Sequence, residues 1–169
     1  MHRSAARRID LLRHAKSSWD NPGLADHDRP LTSRGRRAAT RIGRHLREAG
    51  VEPELILCST ARRARDTLAL LDLAGAVSVE PGLYGASSDL LLERLRETSD
   101  DVHSLLLVGH NPGIEGLAGV LAAEGPLRDE LAAGFPTAAL ATLTFDGGWR
   151  ELRPAACELV AFVKPRELA

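Results

Sequence analysis

The sequence is short of cysteine, of aromatic residues and of net charge, and these shortages exclude several classes of protein. Its only cysteines, Cys58 and Cys157, form neither a metal-binding spacing nor a disulfide framework, as is typical of a reducing compartment. The 169 residues carry a formal net charge of −1, which argues against a general nucleic-acid or membrane-surface binder. No apolar run approaches the roughly 18 residues of a membrane-spanning helix.

Targeting and cofactor motifs are also missing. The basic segment Met1–Arg8 is followed by no apolar stretch long enough for a signal peptide, so we predict a cytoplasmic protein. The glycines form neither GxxxxGK[ST] nor GxGxxG, and no carboxylate cluster indicates a metal. We therefore expect no cofactor, and neither nucleic acid nor membrane as a partner. The length predicts a single domain over residues 1–169.

What the sequence does contain is an alternation of strand-length apolar runs with segments of helical period. Strands are predicted at 9–12, 55–58, 77–79, 104–108, 139–145 and 158–163. Helices are predicted from Thr32 to Gly50, from the cap Ser59-Thr60 to about Leu71, from Asp89 to Glu97, and from Asn111-Pro112 to about Ala123. A turn at Asp146-Gly147-Gly148 makes the last two strands antiparallel neighbours. The pattern predicts a three-layer α/β/α sandwich, with a mostly parallel central sheet and helices on both faces. Residues 124–138 receive no role beyond a possible border of the pocket.

Reactive and cationic side chains follow three of these strands directly. Arg13-His14 follows the first strand, Ser59 to Arg65 the second, and Gly109-His110 the fourth. Because open α/β sheets bind ligands beyond the carboxyl ends of their strands, we expect these side chains to meet. Ser59 and Arg63, four residues apart, are predicted to share a helix face.

Each of these side chains also has a purely structural explanation. Arg13 fits a surface salt bridge, His14 a hydrogen-bonded histidine, and His110 a helix cap. Arginines at positions 62, 63 and 65 nevertheless oppose the dipole at a helix N-terminus, which favours a bound anion there. Taken together, the three strand ends predict a phosphate pocket in which arginines bind phosphate oxygens and a neutral imidazole attacks phosphorus.

In these motifs the sequence resembles the histidine phosphatase superfamily, also called phosphoglycerate-mutase-like. The matching residues are Leu12-Arg13-His14-Ala15, then Ser59, Arg63, Ala64 and Thr67 of a Ser-x-x-x-Arg-Ala-x-x-Thr motif, then Gly109-His110. The order and spacing agree over roughly residues 9 to 120. Within the superfamily the chain looks most like the short SixA-type phosphohistidine phosphatases, through its Arg13–Trp19 segment, Asp28–Thr32 with Arg34-Gly35, and Leu83-Tyr84-x-Ala86.

This resemblance implies a metal-independent phosphatase with no cap domain inserted over its site. Carried over residue by residue, His14 is the nucleophile, and Arg13, Arg63 and His110 hold the phosphoryl group. Lys16 and Ser17 line the mouth of the pocket and bind substrate. The open pocket implied by a missing cap suits a phosphorylated protein.

The sequence departs from the family pattern at two positions. Asp20 stands where mutase-like members have a phosphate-binding Asn, so we expect it to point elsewhere. Gly82 stands where many members carry a general acid. Glu80 is then a possible general acid, Asp89 is a more distant candidate, and both are equally well explained as surface carboxylates.

The lack of an acid at position 82 affects which leaving groups the site could release. An alkoxide leaves poorly without a proton, whereas a protonated phosphoramidate nitrogen leaves readily. We therefore predict that phosphohistidine in a protein is hydrolysed through phospho-His14. The alternatives are a small-metabolite monoester phosphatase, which would need the acid, and a phosphate- or phosphoprotein-binding module without turnover.

Overall fold

Six strands form one sheet in the order β3-β2-β4-β1-β5-β6 in the computed structural model of the protein, which describes residues 6–169. The strands are β1 (Arg7–Arg13), β2 (Leu55–Ser59), β3 (Ala76–Glu80), β4 (Ser104–Gly109), β5 (Leu140–Phe145) and β6 (Glu158–Val163). The first four are parallel, whereas β5 runs antiparallel to both β1 and β6. The sheet is therefore mostly parallel, and its last two strands are antiparallel as predicted.

The helices cover both faces of this sheet. They are α1 (Ser33–Glu48), α2 (Arg62–Leu71), α3 (Ser88–Arg96), α4 (Gly113–Leu121) and α5 (Pro126–Ala132). Strand β4 shows why there are two layers, since Leu105 and Leu107 belong to the core under α3, α4 and α5, whereas Leu106 and Val108 belong to the core under α1 and α2. Successive side chains of a strand point to opposite faces, so a wholly apolar strand needs cover on both. The predicted three-layer α/β/α sandwich without an inserted cap domain is confirmed.

Local capping agrees with the sequence at one helix and departs from it at another. The Thr32 side chain accepts a hydrogen bond from the Gly35 amide at the start of α1, as its position predicts. The predicted Ser59-Thr60 cap of α2 is wrong, because the helix begins at Arg62 and no side chain caps it. Ser59 instead ends β2, so it does not share a helix face with Arg63.

Helix α5 and the N-terminal segment also bear on the sequence predictions. Helix α5 was not predicted, because its seven residues are too short to show a helical period. Among residues 6–169, no helix has both the length and the apolar character needed to cross a membrane. The predicted absence of a signal peptide rests partly on residues 1–5, which lie outside the described residues.

Helices α1 and α2 touch through a glycine. A Cβ built on Gly43 would lie 2.5 Å from the carbonyl oxygen of Leu71 and 2.6 Å from its Cα. Both atoms belong to the backbone at the end of α2, so they cannot move aside as a side chain would. Gly43 is thus required by the close approach of the two helices.

We expect Gly43→Ala to destabilise the fold, since overpacking typically costs about 1–3 kcal/mol and exceeds the gain in helix propensity of roughly 1 kcal/mol. Chemical denaturation measures the free energy of unfolding. The matched control is Gly119→Ala in α4, where a Cβ meets nothing within 4 Å and stability should rise. Equal effects of the two substitutions would contradict this account.

Candidate active site

Pairing of β1 with β4 brings the two motif histidines together. Arg13 and Gly109 are register partners, and the amide of His14 donates to the carbonyl oxygen of Gly109 at 3.0 Å. His14 and His110 therefore leave neighbouring strand ends, and their ring centroids lie 5.1 Å apart. Both side chains are buried, with 7% and 8% of their surface exposed.

The adjoining strand β2 and helix α2 supply the second motif to the same place. Arg63, in the first turn of α2, directs its Nε to Nε2 of His14 at 3.4 Å. Ser59 places its Oγ 2.7 Å from Nε2 of His110, so His110 contacts β2 and does not cap α4 through its side chain. The motif threonine, Thr67, accepts a hydrogen bond from the Ala15 amide and donates to the Arg63 carbonyl oxygen, which joins the His14 loop to α2.

The hydrogen bonds of His14 determine which of its ring nitrogens can react. Nδ1 lies 2.7 Å from the carbonyl oxygen of Ala15, and a carbonyl can only accept, so Nδ1 carries the proton. Nε2 of the neutral ring then holds the free lone pair. The donor Nε of Arg63 faces that same nitrogen, in agreement with an unprotonated Nε2.

Burial keeps both histidines uncharged. Burial is the largest cause that lowers the pKa of His14 to about 3; His110 and the charges of Arg63 and Arg13 add to it, and the hydrogen bond to the Ala15 carbonyl opposes it. Burial, followed by the charge of Arg63, lowers the pKa of His110 to about 4. A neutral imidazole is the nucleophilic form, and His14 is in that form across the neutral pH range.

Arg13 reaches the site from the end of β1 and is anchored by the segment before β5. Its Nη1 donates to the carbonyl oxygen of Phe135 at 3.0 Å, and Asn111 Nδ2 donates to the same oxygen at 3.0 Å. Of residues 124–138, Phe135 and Thr137 thus border the site. Within residues 6–169, Arg13 Nε and His110 Nδ1 are buried polar atoms that make no hydrogen bond to the chain. A bound oxyanion would satisfy Arg13 Nε, and also His110 Nδ1 in the tautomer in which Ser59 Oγ donates to Nε2 and Nδ1 carries the proton.

These residues line one cavity of about 430 Å³. The predicted residues Arg13, His14, Lys16, Ser17, Arg63 and His110 all line it, together with Trp19, Asp26, Arg29, Tyr84, Gly85, Asn111 and Thr137. Asp20 is exposed and lies outside the lining, as expected. The Arg29 guanidinium stacks on the exposed Trp19 ring, 3.5 Å from its centroid, and forms one rim.

Asp26 is the carboxylate of this cavity, and strand-end reasoning does not find it because it lies in the middle of a loop. It accepts hydrogen bonds from Arg63 Nη2 at 3.0 Å, Arg29 Nε at 3.1 Å and the Tyr84 hydroxyl. The hydrogen bond from Tyr84 and those from the two arginines lower the pKa of Asp26 to about 2. Asp26 is therefore ionised and holds the two arginines in place.

Glu80 does not lie in this cavity, and its assignment as a possible general acid is corrected. Its carboxylate receives Arg94 Nε at 2.7 Å and Arg94 Nη2 at 3.0 Å, and Ser78 Oγ at 2.7 Å. The hydrogen bond from Arg94 lowers the pKa of Glu80, so this carboxyl also carries no proton at neutral pH. Asp89 is exposed in the first turn of α3 and is not part of the lining either.

Comparison with known proteins gives matches both in sequence and in fold. The family model described as the histidine phosphatase superfamily (branch 1) matches residues 9–85. An uncharacterised protein of Mycobacterium tuberculosis is 39% identical over 92% of this chain and 100% of its own length. Among solved structures, a candidate phosphohistidine phosphatase SixA from Nakamurella multipartitia superposes with a TM-score of 0.88 at 33% identity, covering 97% of this chain and 99% of that one. The protein histidine phosphatase SixA in complex with tungstate superposes with a TM-score of 0.78 at 25% identity, covering 95% of this chain and 98% of that one.

The depressed pKa of His14 can be tested by NMR titration of its ring signals. We expect the ring to stay neutral until the pH falls toward about 3. Since the folded pKa lies below that of the unfolded chain, the unfolded state binds the proton first, and the free energy of unfolding should fall as the pH drops from about 6.5 toward 3. A titration midpoint near 6.5 would show that burial does not control this histidine.

The effect of the Asp26 charge on anion binding by the arginines can be tested with Asp26→Asn. Removing its charge leaves Arg29 and Arg63 less neutralised, so tungstate should bind several-fold more tightly at low salt, and the gain should shrink as salt screens it. Isothermal titration calorimetry measures the affinity. Asp28→Asn is the matched control, since the exposed Asp28 lies in the same turn outside the lining. Unchanged or weaker tungstate binding in Asp26→Asn would contradict the expectation that the carboxylate weakens anion binding by offsetting the charge of the arginines.

Proposed function

Because the chain belongs to the histidine phosphatase superfamily, in its SixA-type branch, we propose that it hydrolyses phosphohistidine in a protein substrate through a covalent phosphoryl intermediate on His14. Phosphatase activity of the histidine phosphatase type follows from the family. The identity of the nucleophile, the roles of its neighbours and the protein substrate are the proposal.

The first half of the reaction rests on His14. Its Nε2 lone pair attacks phosphorus, the bond between phosphorus and the substrate nitrogen breaks, and the substrate imidazole leaves with its proton. Arg13 and Arg63 bind the phosphoryl oxygens, and His110 donates a hydrogen bond to them, so that the growing charge is stabilised. Water then attacks phospho-His14, releases inorganic phosphate and restores the neutral histidine. Lys16 and Ser17 contact the substrate at the cavity mouth.

The single observation that carries the substrate class is the protonation state of the cavity carboxylate. Asp26, the one carboxylate that lines the cavity within residues 6–169, is held ionised by Tyr84, Arg63 and Arg29. The hydrogen bond from the Tyr84 hydroxyl to Asp26 raises the pKa of Tyr84, so this phenol is a poor acid too. An alkoxide leaving group would lack a proton source, whereas a protonated imidazole brings its own.

This observation weighs against the alternatives. A small-metabolite monoester phosphatase needs an acid, and Glu80 is committed to Arg94 away from the cavity. A binding module without turnover has no need of a neutral histidine whose nucleophilic nitrogen faces an arginine. The absence of a cap domain favours access for a protein-borne phosphohistidine. A cytoplasmic location, and partners that include neither nucleic acid nor membrane, stay predictions.

The proposal is tested by trapping the intermediate. Protein mixed with ³²P-labelled phosphoramidate and quenched should carry an acid-labile, base-stable label, which His14→Ala abolishes. Turnover of a phosphohistidine peptide should fall by at least about a thousandfold in the same variant, because the nucleophile is gone. His103→Ala is the matched control, since His103 is half-exposed at the opposite end of β4.

Two outcomes would overturn the proposal. One is a label that survives in His14→Ala at the wild-type level. The other is faster cleavage of alkyl phosphate monoesters than of the phosphohistidine peptide. Glu80→Gln should leave phosphohistidine turnover within about twofold of the wild type, because its carboxylate does not touch the cavity.

A further inference from the structure

A second concave surface adjoins the active-site cavity and is lined by cationic side chains. We name it the basic groove. It encloses about 340 Å³ between the first half of α1, the segment before β5 and the C-terminal segment, and its lining includes Lys16, Arg34, Arg41, Lys164 and Arg166. Lys16 and Thr137 line both the groove and the active-site cavity, so the two are continuous.

The groove is tied mechanically to the reacting residues. The Lys16 carbonyl oxygen, two residues beyond His14, accepts hydrogen bonds from the Thr32 amide at 2.9 Å and from the Thr32 hydroxyl at 3.3 Å. A Cβ on Gly35 would lie 2.2 Å from that same oxygen, so the first turn of α1 packs directly on the active-site loop. A ligand in the groove would therefore sit at a set position relative to His14.

The charge of the groove has no structural explanation within the described chain. Helix α1 carries six arginines and a single acidic residue, although the whole chain has a net charge of −1. Arg34 and Arg41 lie on one face of α1, and neither they nor Arg166 takes part in an ion pair within residues 6–169. Lys164 alone pairs, with Glu130 at 3.4 Å. Arg34 also lies in the first helical turn, where a cation opposes the helix dipole.

We propose that the basic groove binds acidic side chains of the phosphoprotein substrate next to its phosphohistidine. This inference rests on the proposed function and adds the chemical class of the partner. Because the groove shares Lys16 and Thr137 with the active-site cavity, a protein whose phosphoryl group faces His14 would place neighbouring side chains over the groove. The arginines at 34, 41 and 166 are exposed; the first two lie about two turns apart on α1, and the third belongs to the C-terminal segment. Such spacing suits several carboxylates on a protein surface better than one compact phosphate, which needs converging donors.

The experiment compares three phosphohistidine substrates, namely a peptide with glutamates around the phosphohistidine, the same peptide with serines, and free phosphohistidine. The wild type should prefer the acidic peptide at low salt, and this preference should fade at high salt. In the double variant Arg34→Gln/Arg41→Gln, kcat/KM for the acidic peptide should fall about fivefold, mainly through KM, since exposed ion pairs are individually weak. Turnover of the other two substrates should stay within about twofold.

The control is Arg150→Gln/Arg153→Gln, which removes the same charge from exposed positions beyond the far end of β5. It should keep the full preference for the acidic peptide. Unchanged thermal melting of both double variants would show that neither acts through folding.

The outcomes separate this inference from the proposed function. Without turnover of any phosphohistidine substrate, the proposed function fails. With turnover but no acidic preference, or with an equal loss on all three substrates in Arg34→Gln/Arg41→Gln, only the groove assignment is overturned. Binding of phosphatidylserine vesicles or single-stranded RNA that depends on Arg34 and Arg41, in place of the acidic preference, would overturn it as well.

Discussion

The pairing of β1 with β4 is the constraint on which the site depends. A single register aligns Arg13 with Gly109, and the next hydrogen bond joins His14 to Gly109. Parallel strands end at the same edge of the sheet. This register therefore places both histidines just beyond neighbouring strand ends, with their ring centroids 5.1 Å apart. A shift by one residue would turn His14 to the other face, so the pairing decides whether the proposed nucleophile faces the cavity.

The side chains at this edge of the sheet differ in charge, and the charge of each one suits a different role. Burial keeps His14 neutral, whereas the guanidinium groups of Arg13 and Arg63 bring positive charge to the cavity, where the proposed reaction would use it to bind a phosphoryl group. Asp26 contacts Arg63 as a carboxylate whose lowered pKa, about 2, keeps it ionised at neutral pH. The same hydrogen bonds that position Arg63 also remove the proton that Asp26 would need as an acid. Ordering the arginines and protonating a leaving group are thus incompatible roles for this residue, which is why the proposed substrate is one whose leaving group carries its own proton.

The active-site cavity and the basic groove share one mechanical support. The loop after His14 binds Thr32 through the Lys16 carbonyl oxygen, and Gly35 allows α1 to approach that loop closely. The position of α1 and the position of the nucleophile are therefore coupled. A cationic helix in that place extends the anion-binding character of the cavity onto the surface, where a substrate larger than phosphate would meet it.

The sequence by itself determined the α/β layers and located the ends of β1, β2 and β4 to within one residue, because hydrophobic periodicity and short motifs are local properties. Arg13, His14, Arg63 and His110 were identifiable on that basis, since each lies at or just beyond a strand end. Only the tertiary structure decided what surrounds them. Asp26 meets Arg63 and Tyr84 across 37 and 58 residues of chain, and no local pattern encodes such contacts between loops. For the same reason Glu80, close to the family's acid position in sequence, turned out to be bound to Arg94. Distance along the sequence suggests which carboxylates could act as the acid. The paths of the loops, and the ion pairs that these paths allow, determine which carboxylate reaches the cavity and whether it is protonated.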